Sequence, residues 1–109
     1  MMDRKRLEGQ VAWISGGASG MGEAAAELFA AEGAKVVVVD IQAEEGNRLV
    51  ERIVSQGGQA VFHECDVSRE DSLRDSIEQS VVEFGGLQII VNCAGIVHVG
   101  RLHEYAEDE

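Results

Sequence analysis

Gly16, Gly20 and Gly22 punctuate the segment Ser15-Gly16-Gly17-Ala18-Ser19-Gly20-Met21-Gly22, and Asp40 follows the last of them by 18 residues. Glycines at this spacing let a pyrophosphate approach backbone N–H groups that a Cβ would shield. A carboxylate at that distance supplies an acceptor for the hydroxyls of an adenosine ribose. The neighbours matter as much as the glycines. Val11-Ala-Trp-Ile-Ser15 reads as a strand, a helical pattern follows the turn, and Lys35-Val-Val-Val-Val39 runs into Asp40. Strand, glycine turn, helix and strand-end carboxylate together predict a dinucleotide site.

Two later segments place polar or glycine-rich residues after apolar runs, Asp66-Val67 and Asn92-Cys93-Ala94-Gly95. The three histidines are less promising. His98 and His103 stand five apart with no ligand pattern between them, and no Asp, Glu or His spacing completes a metal site around them or His63. They read as surface or loop residues, and no metal is predicted. Cys65 and Cys93 make neither a disulfide nor a zinc framework. Cys93 reads as a small buried filler, because nothing nearby would activate a thiolate.

The elements that must position these residues follow from periodicity. Residues 11–15 and the valine run 35–39 read as strands, the second buried on both faces as in parallel sheets. Between them Met21, Ala24, Ala25, Leu28 and Phe29 recur at helical spacing until Gly33. A second helix carries Leu49, Val50, Ile53 and Val54 and ends at Gly57-Gly58; residues 59–65 form a weaker strand. Ser68 with Asp71 has the spacing of a capping box, opening a third helix with Leu73, Ile77, Val81 and Phe84 that Gly85-Gly86 closes. Leu87-Gln-Ile-Ile-Val91 is the fourth strand. The alternation βαβαβαβ predicts an α/β fold, a Rossmann-type doubly wound parallel sheet, incomplete, with strand order 3-2-1-4. Ligands of such sheets bind beyond the carboxyl ends of the strands. Gly16 to Gly22, Asp40, Asp66 and Asn92 to Gly95 all fall on that rim.

Composition bounds the partners. The 109 residues, 45% hydrophobic and 27% charged, fit one domain at most. A net charge of −11 argues against nucleic acid, which needs clustered Lys and Arg. Arg4-Lys5-Arg6 reads as a solvated leader, with no signal-peptide core after it, and no apolar run reaches the roughly 20 residues of a membrane span. A cytoplasmic location is the expectation.

Ser15 to Gly22, with glycines at 16, 20 and 22, Asp66-Val67 and Asn92-Cys93-Ala94-Gly95 together resemble the short-chain dehydrogenase/reductase family from about residue 7 onward. The family's cofactor turn is spaced Gly-x-x-x-Gly-x-Gly, and its Asn-Asn-Ala-Gly segment is met here with cysteine at position 93. The resemblance implies that Gly16, Ser19, Gly20, Met21 and Gly22 cradle a pyrophosphate and the nearby ribose. Asp40 would accept both adenosine ribose hydroxyls and Ile41 would flank the adenine. Asp66 would accept from the adenine amino group while Val67 packs on the ring, and Asn92, Ala94 and Gly95 would line the path to the nicotinamide ribose. The implied activity is hydride transfer between NAD(H) and a small-molecule alcohol or carbonyl, in an enzyme that is a homo-oligomer when complete.

NAD rather than NADP is expected. Nothing basic lies between Val36 and Asn47, and Ser19 stands where NADP-preferring relatives often carry arginine. A 2′-phosphate about 4 Å from the Asp40 carboxylate would be repelled by roughly 4 kcal/mol at an effective dielectric near 20.

The family's catalytic serine and Tyr-x-x-x-Lys find no counterpart. Tyr105, the sole tyrosine, has Glu109 four residues on, and a carboxylate there opposes ionisation of a phenol. No residue is assigned a catalytic role. Residues 1–109 are therefore expected to be the N-terminal half of an NAD(P)-binding Rossmann domain, truncated before the catalytic segment, with the Leu87–Val91 strand left as an association-prone edge. Two alternatives stay open: a catalytically silent NAD-binding module, and an S-adenosylmethionine-dependent methyltransferase, which also uses a glycine turn and strand-end acids.

Overall fold

Four consecutive valines, Val36 to Val39, are each at most 1% exposed, so the second strand is covered on both faces. That demands helices above and below it. The computed structural model describes residues 6–16 and 20–93, and it supplies them in the order β1 (Val11–Ser15), α1 (Gly20–Ala31), β2 (Lys35–Asp40), α2 (Ala43–Ser55), β3 (Gln59–Glu64), α3 (Glu70–Phe84) and β4 (Ile89–Asn92). The strands form one sheet in the order β3-β2-β1-β4, as the alternation of elements predicts. Every pairing is parallel, with Ser15 opposite Val39 and Asn92, and Asp40 opposite Glu64.

Alternate residues of each strand feed two separate cores. Ala12, Ile14, Val36 and Val38 meet Ala26 and Ala30 of α1 and Leu49 and Ile53 of α2. Val11, Trp13, Val37 and Val39 meet Leu73, Ile77 and Phe84 of α3 on the opposite face. Full burial of one such aliphatic side chain contributes about 1.5–3 kcal/mol. Strands β1 to β3 are added in one direction and β4 on the other side of β1, which makes the carboxyl ends of β1 and β4 the switch point of the sheet.

Most of the apolar helix positions that the periodicity marks face the sheet, and a few do not. In α1 the buried positions are Gly22, Ala26 and Ala30, four apart, while Met21 is 75% and Leu28 58% exposed. Small residues let the helix axis lie close to β1 and β2, with Phe29 packed against the core and Met21 and Leu28 left at the margin. In α2, Leu49 and Ile53 are buried, Val50 is partly so, and Val54 is 52% exposed. Gly46 sits so close to β3 that a Cβ there would lie 2.1 Å from the Phe62 ring. In α3 the most buried residues are Ser76 and Ser80, with Leu73, Ile77 and Phe84 packed beside them and Val81 37% exposed.

Candidate functional site

The sheet rim is assembled from the ends of all four strands. Ser15, fully buried, donates from its hydroxyl to Asn92 Oδ1 at 2.7 Å, and the Cys93 N–H donates to the Ser15 carbonyl at 3.0 Å. Both bonds tie β1 to β4 at the switch point. Gly16 then takes φ +69°, a left-handed conformation that strains any residue with a Cβ. The chain enters α1 at Gly20, where a Cβ would meet nothing within 4 Å. This is open space at the amino end of a 12-residue helix, where N–H groups lack intrahelical partners and favour an anion. Met21 is exposed, and Gly22 faces inward. Ser19, Ala94 and Gly95 lie outside the described residues, as do Tyr105, His98 and His103.

Asp40 lies one residue beyond the Ser15–Val39 pair, level with Gly16 on the neighbouring strand. The residue is only 9% exposed, and its carboxylate accepts the Gln42 N–H at Oδ1, 2.9 Å away. Its carbonyl accepts the Cys65 N–H at 3.1 Å, which continues the β2–β3 pairing up to the next rim position. Ile41 is 62% exposed at the mouth. Asp66 is exposed beyond β3, and Oδ1 accepts the Ser68 N–H at 3.0 Å and the Ser68 hydroxyl at 2.6 Å. These bonds, with a smaller pull from Arg69, hold the Asp66 carboxyl below the ordinary carboxylate range. Val67 is half-buried against the α3-side core. From β3 to β4 the rim spans three strand spacings, about 14 Å.

Three expectations are corrected. Ser68 and Asp71 form no capping box: α3 starts after Arg69, which makes no side-chain cap, and Asp71 Oδ1 accepts from Ser72 N–H instead. The reason is local competition, because Asp66 already takes the Ser68 N–H that a capping box would give to Asp71. His63 is neither a surface nor a loop residue. It lies in β3 with its side chain 10% exposed, Nδ1 2.9 Å from Ser76 Oγ and Nε2 3.6 Å from Glu83. Cys93 is half-buried rather than buried.

Sequence reasoning also missed the polar seam under α3. The Trp13 indole N–H donates to Ser76 Oγ at 2.9 Å, and the Ser80 hydroxyl donates to the Ser76 carbonyl at 2.9 Å. Two serines four residues apart in an otherwise apolar helix face were the signal. Among the described residues no helix is long and apolar enough to cross a membrane, and no three His, Cys, Asp or Glu residues gather to hold a metal.

The comparisons with known proteins agree with one another. Residues 10–109 match the family model for short chain dehydrogenases. Tropinone reductase-like 1 of Erythroxylum coca is 48% identical over 93 residues, which are 85% of this chain and 33% of that protein. A hydroxysteroid dehydrogenase from Escherichia coli superposes with a TM-score of 0.80 at 40% identity, covering 84% of this chain and 39% of the other. A 7α-hydroxysteroid dehydrogenase complexed with NADH and 7-oxo glycochenodeoxycholic acid gives a TM-score of 0.78 at 37% identity, covering 84% and 37%. The chain thus spans about a third to two-fifths of the length of the relatives it matches. The methyltransferase alternative finds no support among them. With its glycine turn, parallel sheet and strand-end acids, the chain belongs to the short-chain dehydrogenase family of oxidoreductases.

Proposed function

We propose that residues 1–109 are the dinucleotide-binding half of an NAD-dependent oxidoreductase that moves hydride between NAD(H) and a small-molecule alcohol or carbonyl. The observation that carries the reading is the rim itself: Gly16, Gly20, Asp40, Asp66 and Asn92 lie along one edge of the sheet, in the order a dinucleotide's parts require. The residues fit the group. The space in front of Gly20 admits a phosphate, and the left-handed Gly16 opens the turn without a Cβ.

In this reading Gly16, Ser19, Gly20, Met21 and Gly22 hold the pyrophosphate. Asp40 accepts from the adenosine ribose hydroxyls, with Ile41 beside the adenine. Asp66 and Val67 meet the adenine edge and face, and Asn92, Ala94 and Gly95 line the way to the nicotinamide ribose. Bound NAD supplies the hydride acceptor; the chain's own residues bind and orient it. The related dehydrogenase complexed with NADH supports the choice of a nicotinamide cofactor. The near-burial of Asp40 supports NAD over NADP, because little water is left around that residue to screen a 2′-phosphate.

Isothermal calorimetry with NAD, NADP and S-adenosylmethionine tests the reading. The expected result is NAD binding at least roughly tenfold tighter than NADP, the low end of the repulsion after relaxation, and no binding of S-adenosylmethionine. Equal or tighter NADP binding overturns the cofactor choice, and absence of dinucleotide binding overturns the site.

A further inference from the structure

The turn between β3 and α3 holds one exposed aspartate with unusual thoroughness. Asp66 Oδ1 accepts two bonds from Ser68, its backbone N–H donates to Ser72 Oγ at 3.3 Å, and its carbonyl accepts the Arg69 N–H at 3.0 Å. Ser72 is itself anchored, its hydroxyl donating to the buried Cys65 Sγ at 3.4 Å. Both side-chain bonds fall on Oδ1, and among the described residues none falls on Oδ2. An unrestrained aspartate samples several side-chain rotamers. This one is clamped at its backbone and at one carboxylate oxygen, with the other oxygen bonded to no donor among the described residues.

We propose that Ser68 is a positioning residue for purine selection: by occupying Asp66 Oδ1 it presents Oδ2 as a fixed acceptor for a 6-amino purine and against a 6-oxo purine. The inference rests on the proposed cofactor site. An ionised carboxylate only accepts hydrogen bonds, so an exocyclic amino group satisfies it, whereas a carbonyl opposes it lone pair to lone pair. The Ser72 bond to the Asp66 backbone keeps the hinge of that side chain in place, so the two serines act on different parts of one residue.

Calorimetric titration of NAD and of nicotinamide hypoxanthine dinucleotide, its 6-oxo analogue, into the chain and its Ser68→Ala and Ser68→Thr variants tests this. The chain is expected to prefer NAD by about tenfold, the scale of one hydrogen bond to a charged group. Ser68→Ala should bring the two affinities within about twofold, chiefly by weakening NAD, and Ser68→Thr should restore the preference. A purely structural role for Ser68 predicts that Ser68→Ala lowers both affinities equally, or only the melting temperature; either result overturns the proposal. So does an alanine variant that keeps the wild-type preference, or a wild-type chain with none. If the wild-type chain binds neither dinucleotide, the cofactor site itself is wrong and the proposal falls with it.

Discussion

Asp40 and Asp66 stand on the proposed ligand rim in opposite physical states, and their expected behaviour differs accordingly. Asp40 is nearly buried and accepts a backbone N–H, so it acts as a rigid acceptor whose charge is poorly screened. Asp40→Ala is expected to shrink the gap between NAD and NADP affinity to within about threefold, most of the repulsion being gone; calorimetry on the variant measures it. Asp66 is exposed, and its carboxyl is lowered by the two Ser68 bonds and by Arg69. The neighbouring Asp71 carboxyl is also lowered, by Arg69 and the Ser72 N–H. For a depressed carboxyl the favourable interactions are present above the ordinary carboxylate range and are lost as pH falls through the lowered value. As far as Asp66 is concerned, NAD affinity should therefore be flat from about pH 5 to 8. Any Asp66-linked loss in acid should move to higher pH in Ser68→Ala, as affinities measured down the pH scale would show.

Close packing decides what each helix tolerates. Gly46 of α2 and Gly20 of α1 are both helical glycines, yet a Cβ at Gly46 would strike the Phe62 ring while one at Gly20 would meet open space. Gly46→Ala gains up to about 1 kcal/mol of helix propensity but incurs overpacking of about 1–3 kcal/mol. A net loss of about 1 kcal/mol in urea unfolding is expected. Gly20→Ala should change stability by under about 0.5 kcal/mol, since it touches nothing, while weakening NAD binding. The α3 seam is the second element-scale device. Ser76 Oγ serves both Trp13 Nε1 and His63 Nδ1, so Ser76→Ala strands two polar groups of the helix–sheet interface. A destabilisation of about 1–3 kcal/mol, read from urea unfolding, is the expected result. On the other face Arg52 of α2 pairs with Glu23 and Glu27 of α1. These are partly exposed ion pairs, worth well under 1 kcal/mol each, so they align the two helices more than they stabilise them.

At the scale of the whole molecule, binding and catalysis part company. The proposed site on the rim is one for holding a dinucleotide, but the sequence contains no Tyr-x-x-x-Lys, and a positioned acid/base typically supplies about 10²–10⁴-fold. The 109-residue chain is expected to bind NADH without oxidising it against a carbonyl substrate. Following absorbance against a Gly20→Asp control checks this, and turnover above that control would refute it. The alternation of strands and helices and the placing of Asp40, Asp66 and Asn92 at or just beyond strand ends were legible because they are written over short chain distances. Apolar periodicity, turn chemistry and the reach of one βα unit need no knowledge of distant residues. Tertiary structure alone decided which side of α1 is buried, because the choice of Ala26 and Ala30 over Leu28 depends on how closely the helix meets the sheet. It also decided the Ser15–Asn92 bond, joining residues 77 apart, and the Trp13–Ser76 bond, joining residues 63 apart. The fate of Ser68 belongs there too. Its spacing to Asp71 fits a capping box, but the folded turn gives the Ser68 N–H, which that box would offer to Asp71, to Asp66 Oδ1 3.0 Å away.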